Sequence, residues 1–184
     1  MLQPTEQWQW QLNQSNNQLF LDIDASMAFT TAFEHKQLTD EVLNDNSFCI
    51  NDAAYYQQVV AALTDLQQWT TPEVVQIALN ATAAHRFYKP TMPKSWFFKT
   101  NLTDQVNNLP DEATCLLYTE FGCAQFLTVE QGERASLKML LDSELQLNES
   151  RAMTQFEVIK VMNDRQFSLA EMQHLQQAQQ LRYA

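Results

Sequence analysis

Glycine is almost absent from this chain of 184 residues, which contains only Gly122 and Gly132. A phosphate-binding P-loop and a dinucleotide-binding GxGxxG loop each need several glycines within a few positions, because backbone amides must come close to the phosphates. The sequence excludes both loops, and it also lacks the Gly-x-Ser-x-Gly elbow of α/β-hydrolases. Turns that need a positive φ must therefore fall largely to Asn and Asp, as at Asn16 and Asn17.

Cysteine, histidine and long apolar runs are also scarce. The three cysteines include no CxxC pair, which favours reduced thiols in the cytoplasm. The three histidines are scattered, and the single Glu171-x-x-His174 pair lacks the second copy that a di-iron bundle needs. No run approaches the roughly 18 apolar residues of a membrane span, and the first residues lack the basic and apolar regions of a signal peptide. We expect a cytoplasmic chain without cofactor or metal.

Positive charge is in short supply, since the formal net charge is -11. This charge argues against general binding to DNA or RNA and against an anionic membrane surface, because both would repel the chain. The apolar fraction of 45% and the charged fraction of 18% are those of a folded globular protein. The length is sufficient for one large core or two small ones.

Acidic residues are absent between Glu73 and Asp104, although they are frequent elsewhere. This acid-free window holds 4 of the 11 Lys and Arg residues, at positions 86, 89, 94 and 99, among aromatic residues and two prolines. A cationic, apolar segment on an anionic chain is a candidate contact surface for an acidic partner, and Pro90 and Pro93 stiffen it. Ordinary solvated lysines on a strand and a site for single-stranded nucleic acid both remain open alternatives.

The first half of the chain has the pattern of a mixed α/β unit. Apolar and polar residues alternate over residues 8–12, 19–23 and 27–33, which predicts an antiparallel meander of three strands. Residues 48–50 predict a short buried strand. Two helices should follow over residues 52–68 and 71–88: Asp52 can cap the first, while Thr70, Pro72 and Glu73 form a helix start for the second.

The second half is rich in short β segments. These are residues 95–100, 114–119, 125–130, 136–141 and 158–162. The predicted fold class is α+β, with an α/β domain over residues 1–92 and a small, twisted, β-barrel-like domain over residues 93–167. Residues 168–184 form a Gln-rich tail that is either a marginal helix or disordered.

No residue stands out as catalytic. A Ser-His-Asp arrangement can assemble from distant positions, so an enzyme with a dispersed site is a third and least favoured possibility. Cys123 follows Gly122, but nothing marks it as an activated thiolate, and a small strand residue is the favoured interpretation. We expect no enzymatic activity.

Residues 88–98, YKPTMPKSWFF, resemble the Lys-Pro-x-Met-Pro-Lys-Ser-Trp segment of the ZapC cell-division family. Further stretches are similar to the same family and occur in family order: residues 8–10, 48–54, 78–81, 151–153 and 159–165. The resemblance therefore extends from the N-terminus to Arg165, and the tail beyond Phe167 does not clearly match.

This resemblance implies a non-enzymatic protein of the midcell division ring. Family members bind the globular core of the tubulin-like GTPase FtsZ and promote lateral association of its filaments. Their fold is an N-terminal α/β domain followed by a twisted β-barrel-like domain, each with a pocket. The second pocket is apolar and ringed by basic residues that correspond here to Lys89, Lys94 and Arg165, with Trp96 in its lining.

The first pocket of the family is implicated in filament bundling, and Leu21 lies at a matching position. As a strand residue that faces the core, Leu21 could instead act only through stability, so both interpretations stay open. We expect a monomer that binds FtsZ but neither membrane nor nucleic acid. A monomer can cross-link filaments only through two contact surfaces; otherwise it must dimerise or change the filament conformation. A module for single-stranded nucleic acid or nucleotide is the alternative.

Overall fold

The structure is a computed structural model that describes residues 2–44, 46–102 and 113–169. The chain divides into two compact units, Met1–Pro90 and Thr91–Ala184. The predicted domain boundary after residue 92 lies close to this division, and the assignment of two domains over residues 1–92 and 93–167 stays a prediction. The predicted Gln-rich tail lies outside the described residues from position 170 onward, as does the Glu171–His174 pair.

The first unit begins with the expected meander. Strands β1 (Gln9–Leu12), β2 (Gln18–Asp24) and β3 (Met27–Glu34) form an antiparallel sheet in the order β1-β2-β3. The alternation of apolar residues is reproduced in the burial of β2, where Leu19, Leu21 and Ile23 are buried. Asn17 has a φ of 56°, as expected of an Asn in a turn. The other non-glycine positive-φ residues among those described, Gln67 and Phe156, contradict the expectation that Asn and Asp would fill such positions.

Three helices follow the meander: α1 (Glu41–Asn44), α2 (Ile50–Leu66) and α3 (Thr71–Phe87). The start of α3 is confirmed, since the Thr70 backbone N–H and hydroxyl donate to Glu73 Oε2 at 2.8 and 2.7 Å. The side chain of Asn80 in α3 accepts a hydrogen bond of 2.8 Å from the Ala32 N–H of β3. This contact joins α3 to an edge of the sheet.

Two predictions around the start of α2 are wrong. Residues 48–50 are not a strand, because Ile50 already begins the helix and is 84% exposed. Asp52 is not the N-cap residue either. It occupies the third helical position, where its Oδ2 accepts a hydrogen bond of 3.1 Å from the backbone N–H of Cys49, the actual N-cap.

The second unit is built from β-strands. Strands β4 (Thr114–Tyr118), β5 (Cys123–Glu130), β6 (Ala135–Leu140) and β9 (Val158–Met162) form an antiparallel sheet in the order β4-β5-β6-β9. Strands β7 (Glu144–Asn148) and β8 (Arg151–Thr154), which the sequence did not predict, pair as a hairpin. Side chains from both sheets share one hydrophobic core, and Phe98 joins it from outside the strands.

The α+β class is confirmed, with two qualifications about the second unit. No closed barrel occurs in the described part of the chain, which contains separate sheets of four and two strands. The predicted strand at residues 95–100 is wrong, because Ser95–Phe97 form a 3-10 turn. The turn forms because a backbone N–H and a serine hydroxyl of this segment make hydrogen bonds with the edge strand β9.

Candidate partner-binding sites

The segment from Lys94 to Phe98 lies along the outer edge of β9. The Lys94 N–H donates to Lys160 O at 2.8 Å, and the Met162 N–H donates to the buried hydroxyl oxygen of Ser95 at 2.8 Å. An edge strand exposes unpaired backbone groups, and these two bonds satisfy some of them. A further bond of 3.0 Å, from the Phe98 N–H to Ser95 O, closes the turn and fixes its shape.

This turn sends three consecutive aromatic residues to three different environments. Phe98 is buried and makes an edge-to-face contact with Phe126 at 6.2 Å between ring centroids. Phe97 is half-buried and packs against the same core. Trp96 is 72% exposed, and its ring centroid lies 5.5 Å from that of Phe97. An indole held open to solvent on a rigid turn is the kind of side chain that anchors protein interfaces.

Arg165 is directed back into its own unit. Its Nη1 donates to Phe98 O at 3.3 Å and to the Thr100 hydroxyl, and its Nε lies 3.2 Å from Asp164 Oδ1 in an ion pair without hydrogen-bond alignment. Its side chain is only 23% exposed. Arg165 therefore clamps the 3-10 turn Asn163–Arg165 to the chain around Phe98, and Asp164 offsets its charge.

A fully buried lysine supports the same region. Lys138 on β6 donates from Nζ to Thr128 Oγ1 at 2.7 Å and to Gln166 Oε1 at 2.8 Å. Gln166 in turn donates to Asn163 Oδ1 at 3.1 Å, so the network reaches the turn that carries Arg165. Burial lowers the pKa of Lys138 below its ordinary value, and charge and hydrogen-bond interactions with Cys115 offset part of this effect.

The predicted basic residues are divided between the units. Lys94 is half-buried in the second unit, and no carboxylate of the described residues forms an ion pair with it. Lys89 is exposed in the first unit, where its Nζ donates to Lys36 O at 3.2 Å and its N–H donates to Gln37 O at 2.9 Å. The structure thus places Lys94 and Trp96 on the 94–98 segment, and Arg165 clamps that segment from the turn Asn163–Arg165. Lys89 lies in the first unit.

Leu21, the remaining predicted residue, is fully buried in the first unit. It lies opposite Trp10 of β1 and Phe29 of β3 in the sheet. With no exposed surface, Leu21 cannot touch a partner directly while the sheet is intact. A role for Leu21 would therefore act through the packing of the sheet.

Arg86 belongs to the acid-free window, but its side chain is nearly buried and pairs with residues of the first unit. Its Nη1 donates to Asp52 Oδ2 and to Ser47 O, both at 2.6 Å, and its Nε lies 3.4 Å from Glu41 Oε1. The same Asp52 oxygen accepts a hydrogen bond of 3.2 Å from Trp10 Nε1. The side chains of Arg86 and Asp52 are only 9% and 5% exposed. This ion pair ties β1, α2 and α3 together.

Comparison with known proteins identifies the family. Residues 1–89 match the model of "Cell-division protein ZapC, N-terminal", and residues 90–172 match "Cell-division protein ZapC, C-terminal". The chain belongs to the ZapC cell-division family. Its relatives include the "Cell division protein ZapC" of Aeromonas hydrophila subsp. hydrophila, which is 38% identical over 165 residues, covering 89% of this chain and 90% of the relative.

Two other relatives with the same name have similar coverage. The protein of Pseudoalteromonas translucida is 36% identical over 170 residues, with 90% of this chain and 92% of the relative covered. That of Ferrimonas balearica is 37% identical over 171 residues, with 93% and 94% covered. Membership of the family makes this a cell-division protein. The alternative of a nucleic-acid-binding module finds no support among these relatives.

Two features are absent from the described residues. No helix there combines the length and the apolar character needed to cross a bilayer. Nor do residues 2–44, 46–102 and 113–169 contain three or more His, Cys, Asp or Glu side chains grouped so that they could hold a metal ion.

Proposed function

We propose that this protein binds the globular core of FtsZ and promotes lateral association of FtsZ filaments at the midcell ring. It acts in the cytoplasm as a non-catalytic monomer. Membership of the ZapC family supports a role in cell division. One observation supports the binding role: Trp96 is 72% exposed on a turn that hydrogen bonds hold in place. Beside it lies Lys94, which has no ion-pair partner among the described residues.

Charge complementarity is the physical basis of this proposal. The chain carries a net charge of -11, so an acidic partner is repelled by most of its surface. The acid-free window is where such a partner can approach, and the exposed indole supplies apolar contact once it has done so. Repulsion elsewhere limits contacts in other orientations.

The experiment is co-sedimentation with polymerised FtsZ. We expect the double variant Lys94→Ala, Trp96→Ala to lose most of its binding, whereas Lys36→Ala should bind like the wild type. Lys36 is a matched control because it is an exposed lysine that pairs with Glu34 at 2.7 Å. Lys89→Ala, tested separately, shows whether the first unit contributes. Binding that survives the loss of Lys89, Lys94 and Trp96 would remove this segment from consideration as the docking site.

Arg165 needs a different test because it is a structural clamp. Arg165→Ala removes hydrogen bonds to Phe98 O and Thr100, so weaker filament binding could follow from a disordered turn. Thermal denaturation of the same variant separates the two effects. A loss of binding with unchanged melting temperature would assign Arg165 a direct role.

Bundling depends on the number of contact surfaces that one protein molecule carries. A monomer with one contact surface cannot join two filaments, so bundling by a monomer requires a second contact surface. Sedimentation of the protein alone determines whether it is a monomer. A stable dimer would replace the second surface with self-association and leave the FtsZ-binding proposal intact.

A further inference from the structure

Arg151 reaches the aromatic residues of the 95–97 turn from a different part of the chain. It begins β8, and its guanidinium carbon lies 5.8 Å from the centroid of the Phe97 ring. The Phe97 centroid is 5.5 Å from that of Trp96. Phe97 therefore contacts both a cation, Arg151, and an exposed indole, Trp96.

Among the residues that the structure describes, no oxygen atom accepts a hydrogen bond from the guanidinium of Arg151. Arg151 is exposed, and within the part of the chain that the structure describes no carboxylate lies at ion-pair distance from it. A cation–π contact with an aromatic ring does not need an oxygen acceptor, so it leaves N–H groups of the guanidinium able to donate to a carboxylate. Arg165 and Arg86, by contrast, donate to neighbouring oxygen atoms.

We propose that Arg151, Phe97 and Trp96 form a docking surface for an acidic protein segment that carries an apolar side chain beside a carboxylate. The carboxylate binds the edge of the Arg151 guanidinium, and the apolar side chain covers the indole of Trp96. This inference rests on the proposed function, for which it specifies the chemistry of the bound segment. It assigns the anion-binding role to Arg151 and leaves Arg165 as the clamp.

A protein segment fits this surface better than nucleic acid does. A nucleic acid strand presents a phosphate at every nucleotide, and the net charge of -11 opposes such a strand beyond the immediate patch. A short acidic segment needs only one or two cations and one apolar contact. Lys94, on the same turn as Trp96, is available as the second cation.

The first test measures binding to polymerised FtsZ by the wild type, Arg151→Ala, Arg151→Lys and the control Arg134→Ala. Arg134 is an exposed arginine of the same unit, so its loss changes the net charge equally. We expect Arg151→Ala to weaken binding about tenfold or more, as loss of an arginine hot spot does. Arg151→Lys should recover only part of this, because an ammonium keeps the charge but not the planar pair of donors.

The second test uses a fluorescein-labelled peptide, Asp-Glu-Leu-Phe-Asp-Glu, and a labelled single-stranded oligo-dT, both measured by fluorescence anisotropy. We expect peptide binding that weakens with salt and is lost in both Arg151→Ala and Trp96→Ala. Tighter binding of oligo-dT than of peptide would overturn the inference in favour of nucleic acid. Failure of both probes and of the filaments to bind would overturn it outright.

The outcomes separate the two proposals. If the wild type binds filaments and Arg151→Ala binds them equally well while Trp96→Ala does not, the role of Arg151 is wrong and the proposed function stands. If the wild type does not bind filaments but binds the peptide through Arg151, the proposed function fails and the docking surface stands.

Discussion

The regions around Arg86 and Trp96 lie in the same acid-free window of the sequence, but they use positive charge in opposite ways. Arg86 is nearly buried and donates to Asp52 and to the Ser47 carbonyl, so its charge holds the first unit together. Around Trp96 in the second unit, Lys94 and Arg151 have no ion-pair partner within the described ranges. Composition locates positive charge, and only packing determines whether it faces the interior or a partner.

Lys138 is a third case, since it is buried and donates to a hydroxyl and an amide oxygen. It carries no carboxylate neighbour comparable to Asp52 among the described residues. Arg86, Lys138 and Arg151 therefore form a series: a paired buried cation, a buried cation without a carboxylate, and an exposed cation. Substitutions at each position test whether this ordering governs stability and binding.

The largest effect is expected at the Arg86 ion pair. Asp52→Ala leaves the guanidinium buried without its carboxylate and removes the acceptor of the Trp10 indole N–H, which should lower the free energy of unfolding by about 3–5 kcal/mol. Urea denaturation measures this change. Glu41→Ala is the matched control, because the Glu41 side chain is 52% exposed and its loss should cost less than about 1 kcal/mol. Equal effects of the two substitutions would contradict the view that Asp52 balances the buried charge.

The next largest effect concerns Leu21 in the same unit. Leu21→Ala should lower the free energy of unfolding by about 2–5 kcal/mol, because the residue is fully buried in the sheet. Leu21→Met keeps the volume and should cost less than about 1.5 kcal/mol. If packing explains a role in bundling, light scattering of FtsZ filaments should be normal with Leu21→Met and reduced with Leu21→Ala. Loss of bundling with both variants would require a direct role that burial does not explain.

A smaller effect, dependent on pH, is expected at Lys138. Burial lowers its pKa in the folded state below the ordinary value of 10.5, so the folded protein binds fewer protons than the unfolded one between these two values. The free energy of unfolding should therefore rise with pH in this window, and the gain is lost as pH falls through the lower pKa. The slope from this one group is at most about 1.4 kcal/mol per pH unit.

Urea denaturation at a series of alkaline pH values, in wild type and Lys138→Met, measures this contribution together with that of the interaction between Lys138 and Cys115. The wild type should gain more stability with rising pH than the variant does. Lys160→Met is the matched control, since Lys160 is half-buried on the neighbouring strand β9. An equal change of slope in both variants would contradict burial as the cause.

Local sequence patterns predicted the parts of the fold that depend on neighbouring residues. The alternation of apolar and polar residues predicted the meander, and Thr70 with Glu73 predicted the start of α3. Both patterns depend only on residues a few positions apart in the sequence. The failures depend on distant residues. Residues 95–97 have a strand-like composition, but their shape is determined by the edge of β9, which is far away in the sequence. Asp has a side chain that commonly caps helices, but the position of Asp52 is determined by its hydrogen bonds with Arg86 and Trp10.

The same distinction applies to the candidate site. The acid-free window and the family resemblance predicted Lys94 and Trp96 as site residues, because both signals are contiguous in the sequence, and this stays a prediction. The resemblance alone also suggested Arg165, whose donors the structure shows to be used internally. Arg151 was missed because its contact with Phe97 exists only after the β7–β8 hairpin has folded. Its only sequence signal was its place in a family-like stretch, residues 151–153.

The smallest effect on stability should accompany one of the largest effects on binding. Trp96→Ala removes a side chain that is 72% exposed, so the free energy of unfolding should change by less than about 0.5 kcal/mol. Phe98→Ala, on the same turn, removes a buried ring that contacts Phe126 and should cost about 3–5 kcal/mol. Measured together by urea denaturation and filament co-sedimentation, the pair separates an exposed anchor from a core residue. A large loss of stability in Trp96→Ala would mean that the indole holds the turn in place, and the contrast with the Arg86 region would then disappear.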